Sequence, residues 1–240
     1  GRAYTAVADD VYAIYYNPAG LATLDRKEFG TTYSRLLTGL SDGSNLQNSF
    51  LGYAHPLDDG RQGTLGVAWN YFTLDSLYRE SSFLTSYGRR MGREDRADPI
   101  FMGATFKLLN RSMGGVSAAA NAIGPTGVAT GNSDPVLKNA SKMNYDADLG
   151  LLWRLQPRWT LGLSLQHALE PDVAFSREDK DKLGRNIKFG GAFKTPFSTL
   201  TGDLDLLAAP DRSLDKVFSV GLEKWLPTLL HGSFGVRGAL

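Results

Sequence analysis

The sequence predicts an all-β protein, a transmembrane antiparallel up-and-down β-barrel with a short helical hatch at its N-terminus. Three observations predict it: segments in which bulky apolar residues alternate with small or charged ones, connections of two alternating lengths, and an opening stretch without alternation. In "NYDADLGLLWRL" (144–155) one face carries Tyr145, Leu149 and Trp153, while the other carries aspartate and glycine. From Glu28 onward we count about eleven such segments of roughly nine to eleven residues, the length of a tilted strand that crosses a bilayer.

The first element is the predicted hatch, residues 1–27, which contains "ADDVYAIYYNPAGLA" (8–22). Asp9 and Asp10 are predicted to cap a short helix over "DDVYAIYYN", because carboxylates near a helix N-terminus accept its free N–H groups. Pro18 disfavours the helical conformation of Asn17 and should end that helix. Gly20 should then permit a tight turn before the first strand, because glycine tolerates backbone conformations that other residues avoid.

The second element is the predicted barrel, residues 28–240. Its connections are short at 58–62, 92–99, 156–158, 195–198 and 227–231, and long at 39–47, 110–143, 169–185 and 209–215. The connection at 74–80 is an exception, since it is short where a long one is due. Short periplasmic turns and long external loops are typical of outer-membrane barrels.

The face opposite the bulky residues carries charged side chains that we predict to line the lumen: Lys107, Asp146, Asp148, Arg154, Lys188, Lys194, Asp203, Asp205, Glu223 and Arg237. One interpretation is that they line a substrate path. The other is that they pair with one another across the lumen and hold the hatch, which the similar numbers of both signs favour. A barrel of this size encloses more space than its own side chains fill, so a compact N-terminal segment is a natural plug.

The sequence predicts no enzyme, no metal site and no cofactor. The chain of 240 residues has no cysteine and a formal net charge of +1, which gives no reason to expect a nucleic-acid partner. His55, His167 and His231 lie on separate strands or turns, and none has a carboxylate or a second histidine at metal-ligand spacing. We therefore name no catalytic residue.

The opening residues "GRAYTAVADDVYAIYYNPAGLATL" resemble the N-terminal hatch of FadL-type outer-membrane transport proteins and their PorV-like relatives. Asn17, Pro18 and Ala19 match the Asn-Pro-Ala motif of those families, with Gly20 directly after it. Two later stretches, "DADLGLLWRLQPRWTLGLSLQHALEP" and "FSVGLEKWL", are more similar to the PorV side. The resemblance implies a FadL-like barrel of about 14 strands with the hatch inside. We count about eleven segments, whereas single-chain barrels of this kind have even strand numbers. We therefore expect C-terminal strands that this sequence lacks.

The resemblance implies passive passage of hydrophobic small molecules through a hatch-plugged barrel in the outer membrane of a Gram-negative-type envelope. The alternative is a PorV-like interaction protein that serves protein secretion by binding cargo or a translocon. A soluble β-domain is the third possibility. The partners expected are outer-membrane lipid, a hydrophobic ligand or detergent, and secretion-system or other envelope proteins. Whether the hatch motif is a gate or only an anchoring turn stays open.

Overall fold

A computed structural model of the chain describes residues 3–37, 45–75, 77–92, 97–114, 121–124, 126–134, 140–176, 178–208, 213–227 and 233–239, with side chains described up to Lys224. It contains one α-helix, α1 (Ala13–Tyr16), and a 3₁₀ helix (Pro18–Thr23). The strands are β1 (Glu28–Leu37), β2 (Leu46–Pro56), β3 (Thr64–Leu74), β4 (Tyr78–Met91), β5 (Ile100–Met113), β6 (Ser141–Gln156), β7 (Trp159–Gln166), β8 (Asn186–Lys194), β9 (Ser198–Ala208), β10 (Leu214–Pro227) and β11 (Ser233–Ala239).

All eleven strands form one sheet in sequence order, and each strand pairs antiparallel with the next. This confirms the predicted up-and-down barrel topology. The strand lengths run from 7 residues in β11 to 16 in β6, so the prediction of nine to eleven was wrong for the longer strands. Those strands continue into the loops: β4 and β5 stay paired out to Tyr78 and Met113. Among the described residues, no helix is long and apolar enough to cross a membrane.

The two faces of the sheet are reversed relative to a water-soluble protein. Along β6, the Leu149 side chain is 50% exposed while Asp148 beside it is fully buried. The same holds on β9, where Leu204 is exposed and Asp203 and Asp205 are buried. Bulky apolar side chains therefore cover the outer, convex face, and the inner face is polar, as the alternation predicts.

The inner face is covered by the N-terminal segment, residues 3–24. Val11, Ile14 and Leu21 are almost completely buried, and they pack in one apolar cluster with Phe50 and Leu84 of the inner wall. Residues of the segment also contact strands on the far side of the sheet, up to β9. Burial of apolar side chains stabilises the folded state by roughly 25 cal/mol per Å² of apolar surface removed from water. The segment is thus packed on the wall like a small core.

The helix in the segment is shorter than the sequence predicts. It covers four residues, and its N-cap Tyr12 makes no side-chain capping bond. The Asp10 carboxylate instead accepts the N–H of Tyr12, at 2.8 Å, in the turn before the helix. The predicted capping of a longer helix by Asp9 and Asp10 is therefore wrong. The end of the helix is as predicted, because Asn17 is extended, with φ −155°.

Gly20 has a different role from the predicted turn. It lies inside the 3₁₀ helix, and its φ is not in the left-handed region. A Cβ at this position would lie 1.8 Å from the carbonyl oxygen of Ala8. Two parts of the segment come into backbone contact at Gly20, and any larger residue would overlap Ala8.

A belt of glycines on the inner wall makes room for the segment. Each of the strands β1 to β8 contributes one, and a Cβ on any of them would meet atoms of the segment within about 3.2 Å: Gly30, Gly52, Gly66, Gly88, Gly103, Gly150, Gly162 and Gly190. Gly88, Gly103 and Gly150 lie side by side in register on three neighbouring strands. The wall is therefore shaped to the backbone of the segment.

Candidate functional site

The candidate site is the interface between the N-terminal segment and the inner wall, where many polar contacts join the two. At its start, the Asp203 carboxylate accepts the backbone N–H groups of Tyr4 and Thr5, at 2.9 and 2.8 Å. Asp203 is 1% exposed and lies opposite Gly190, whose missing side chain admits the segment. A buried carboxylate with two N–H donors is a strong anchor, because bonds to a charged acceptor are stronger than neutral ones.

Asn17 joins the two halves of the segment. Its Nδ2 donates to the carbonyl oxygen of Thr5 at 2.8 Å, and more weakly to that of Leu151 at 3.4 Å. Its Oδ1 accepts the N–H of Ala19 at 3.2 Å. Pro18 follows as the first residue of the 3₁₀ helix, where its missing N–H costs nothing. Asn17 is fully buried, so this side chain supplies both a cap and a cross-link.

The carbonyl groups at the end of α1 bond to the wall. Ser164 Oγ donates to Tyr16 O at 2.9 Å, and Gln166 Nε2 donates to Tyr15 O at 2.8 Å. Thr105 Oγ1 donates to Ile14 O at 3.1 Å. Sequence reasoning missed these three wall residues as site residues, and their uncharged polar side chains on the inner face are the only signal that could have found them.

The predicted lumen charges pair between neighbouring strands rather than across the lumen. Lys107 on β5 lies 2.5 Å from Asp148 on β6, and both are nearly or fully buried. Lys188 on β8 donates to Asp205 on β9 at 2.8 Å. Buried charges of this kind require a partner, since an unpaired one carries a large desolvation cost. The predicted pairing across the lumen is therefore wrong for these charges, and neither ion pair includes a residue of the N-terminal segment.

His167 corrects the prediction that the histidines lack a carboxylate neighbour. Its Nδ1 lies 2.5 Å from Asp146 Oδ2, and its backbone N–H donates to Asp148 at 3.0 Å. One potential ligand atom from each of these three residues lies within 4.8 Å of the others. The Lys107 ammonium contacts the carboxylate of Asp148 and balances its charge. The cluster thus contains the Lys107–Asp148 ion pair and the His167–Asp146 contact, which join β5, β6 and the end of β7.

The remaining predicted charges line a cavity of about 280 Å³ near the short-turn end of the sheet. Arg154, Lys194 and Glu223 lie on its wall side, and Asp9 lies on the segment side. The Arg154 guanidinium also lies 5.0 Å from the Phe101 ring centroid. The side chain of Arg237 lies outside the described residues.

A second cavity, of about 160 Å³, lies on the other side of the segment, towards the long loops. Its lining includes Tyr15, Lys107, Arg111 and His167. Arg111 connects β5 to the 167–185 loop, because it contacts both Glu80 and Asp181, at 3.1 and 3.2 Å. The N-terminal segment contributes to the lining of both cavities, with residues 6–9 in the first and Tyr15 in the second. Thr5 and Asn17 of the same segment are almost completely buried.

A β-barrel with an apolar outer face, a polar inner face and its own N-terminal segment packed inside defines an outer-membrane β-barrel protein. The chain belongs to the PorP/SprF family, described as "Type IX secretion system membrane protein PorP/SprF", whose family model matches residues 12–211. Its localisation is therefore the outer membrane.

Among solved structures, the chain is similar to the Pseudomonas putida toluene transporter TodX, at 12% identity and with a TM-score of 0.52. The similarity covers 100% of this chain and 82% of the TodX chain. At this identity the likeness concerns the fold alone, and it agrees with the predicted FadL-like architecture. No curated protein matches the chain.

Proposed function

We propose that this chain is an interaction protein of the type IX secretion machinery, which binds cargo or a translocon component at the outer membrane. The family match over residues 12–211 is the observation that carries the proposal. It favours the alternative derived from the PorV-like stretches over passage of hydrophobic small molecules, which stays a prediction.

The contacts of the N-terminal segment support a lumen that stays closed. Asp203, Asn17, Ser164 and Gln166 each tie segment backbone to the wall or to itself. A plug that opens must break these bonds, and each buried group left unpaired costs about 1–3 kcal/mol. Several such losses together, with the apolar packing of Ile14, make opening costly.

The polarity of the space beside the segment also supports this proposal. The two cavities are lined by charged groups such as Arg154, Lys194, Lys107 and Arg111. An apolar molecule gains little from such a lining, because ligand pockets for apolar compounds are mostly apolar. A secretion component needs no path through its lumen, since its partners can bind the loops or the membrane-facing surface.

The test is a strain that lacks the gene, complemented with the unaltered gene. Loss of secreted type IX cargo on deletion, with recovery on complementation, is the expected result. Unchanged secretion on deletion would remove the proposal. Uptake of radiolabelled hydrophobic compounds is measured in the same strains and is expected to stay unchanged.

A disulfide between positions 14 and 66 would lock the N-terminal segment to β3, and secretion by the locked protein shows whether the lumen must open. A Cβ at Gly66 lies 2.8 Å from Ile14 Cγ1, and a disulfide needs about 3 Å between one Cβ and the partner sulfur. Because the chain has no cysteine, Ile14→Cys with Gly66→Cys forms one defined bond. The locked protein is expected to support secretion with and without reductant, as the Ile14→Cys single variant should. Secretion that returns only under reductant would show that the segment moves.

A further inference from the structure

The outer face of β7 to β10 carries a depression that the N-terminal segment does not explain. Gly191 on β8 and Gly202 on β9 are register partners, and both lie at outward-facing positions. A Cβ at Gly191 would meet no atom within 4 Å, and one at Gly202 only the Ser219 carbonyl oxygen at 4.0 Å. These two glycines therefore do not make room for any part of the described chain.

The strand register surrounds this depression with bulky side chains. The row through it runs Leu161, Gly191, Gly202, Val220. The row on the short-turn side is Trp159, Phe193, Leu200, Leu222, and the row on the other side is Leu163, Phe189, Leu204, Phe218. Together they form a groove of about 660 Å³ on a face that meets lipid. A missing pair of side chains in the middle of a bulky surface leaves space for an inserted chain.

One end of the groove lies at the short-turn end of the sheet, which faces the periplasm in outer-membrane barrels. Trp159 directly follows the turn at 157–158, and tryptophan is enriched at the membrane interface. Lys224 is the next outward position of β10 beyond Leu222, and its side chain is exposed. A lysine at this level attracts anionic headgroups.

We propose that this groove binds an anionic phospholipid of the periplasmic leaflet, with its phosphate at Lys224 and one acyl chain in the depression at Gly191 and Gly202. The row of Lys224 lies four residues from the row of the glycines, roughly 13 Å along the strands. An acyl chain that starts at the interface reaches the depression by running past Leu222 and Leu200. The positive charge at one end and the apolar depression at the other match the two parts of such a lipid.

The test uses quenching of tryptophan fluorescence by brominated lipids. Trp69, Trp153 and Trp225 are replaced by phenylalanine, so that Trp159 alone reports, and the full chain is reconstituted in mixtures with brominated phosphatidylglycerol or brominated phosphatidylcholine. One lysine contact is worth about fivefold in relative association constant, so the anionic lipid should be favoured by about that factor.

Two matched pairs of variants make the test specific. Lys224→Gln should bring the preference to about one, while Lys216→Gln, outward on the same strand at its other end, should leave it unchanged. Gly202→Phe should also abolish the preference, while Ala104→Phe, outward on β5, should not.

Equal quenching by both lipids in the unaltered protein would overturn the proposal, as would equal losses from the two lysine variants. If neither lipid quenches Trp159 and a membrane protein co-purifies in stoichiometric amount, the groove binds that protein and the lipid proposal is wrong.

Discussion

Replacing Gly103 by alanine should loosen the N-terminal segment. The added methyl would lie 2.3 Å from both the carbonyl carbon and the oxygen of Pro18, and 2.5 Å from the nitrogen of Ala19. Ordinary carbon contacts are about 3.5–4.0 Å, so the overlap is roughly 1 Å. All three atoms belong to backbone, which cannot rotate away, so we expect a loss of about 3 kcal/mol, the upper part of the range for overpacking.

The assay is urea unfolding in detergent micelles, followed by tryptophan fluorescence, with limited proteolysis of the N-terminal segment in parallel. Gly191→Ala is the matched control for stability, because its methyl meets nothing and should change the free energy of unfolding by less than about 0.5 kcal/mol. Equal unfolding midpoints and equal protease resistance for the two variants would refute the account of the glycine belt.

Three further predictions concern charged groups. Asp203→Ala should speed amide hydrogen exchange at residues 4 and 5, with a loss of about 1–3 kcal/mol per unpaired N–H, and Asp203→Asn should lose less because it keeps an acceptor oxygen. Lys107→Met should cost about 3–5 kcal/mol in urea unfolding by leaving Asp148 unpaired, and adding Asp148→Leu should recover part of it. In the 167–185 loop, the N–H groups of Ala174 and Asp181 lower the pKa of Asp172. The stabilisation is therefore present above the unfolded pKa of about 3.9 and lost as the pH falls through the lower folded pKa. An NMR titration of the Ala174 amide checks this, and Asp172→Asn should remove the dependence.

The barrel was predictable because lipid on one side of a strand imposes a period of two. That period alone assigns Asp146, Asp148 and Asp203 to the inner face. It could not supply their partners, because a partner depends on strand register and on distant chain. The His167 contact with Asp146 joins residues 21 apart through the end of β7, and Asp203 binds residues 198 and 199 positions away.

The N-terminal segment was harder to predict in detail than in position. Asn17 and Pro18 specify the end of a helix by local sterics, so that boundary was accessible. The length of α1 and the role of Gly20 depend on contacts with Asp10 and Ala8, which helix propensity does not describe. The Asn-Pro-Ala motif likewise fixes backbone geometry and cannot distinguish transport from secretion.

The anchoring of Tyr4 and Thr5 to β9 has a consequence for biogenesis. Tyr4 and Thr5 find their acceptor, Asp203, nearly 200 residues further along the chain. Closure of such a distant contact is slow, since the chain must first order everything between. During assembly the N-terminal segment therefore lacks its Asp203 anchor until the ninth strand has joined the sheet.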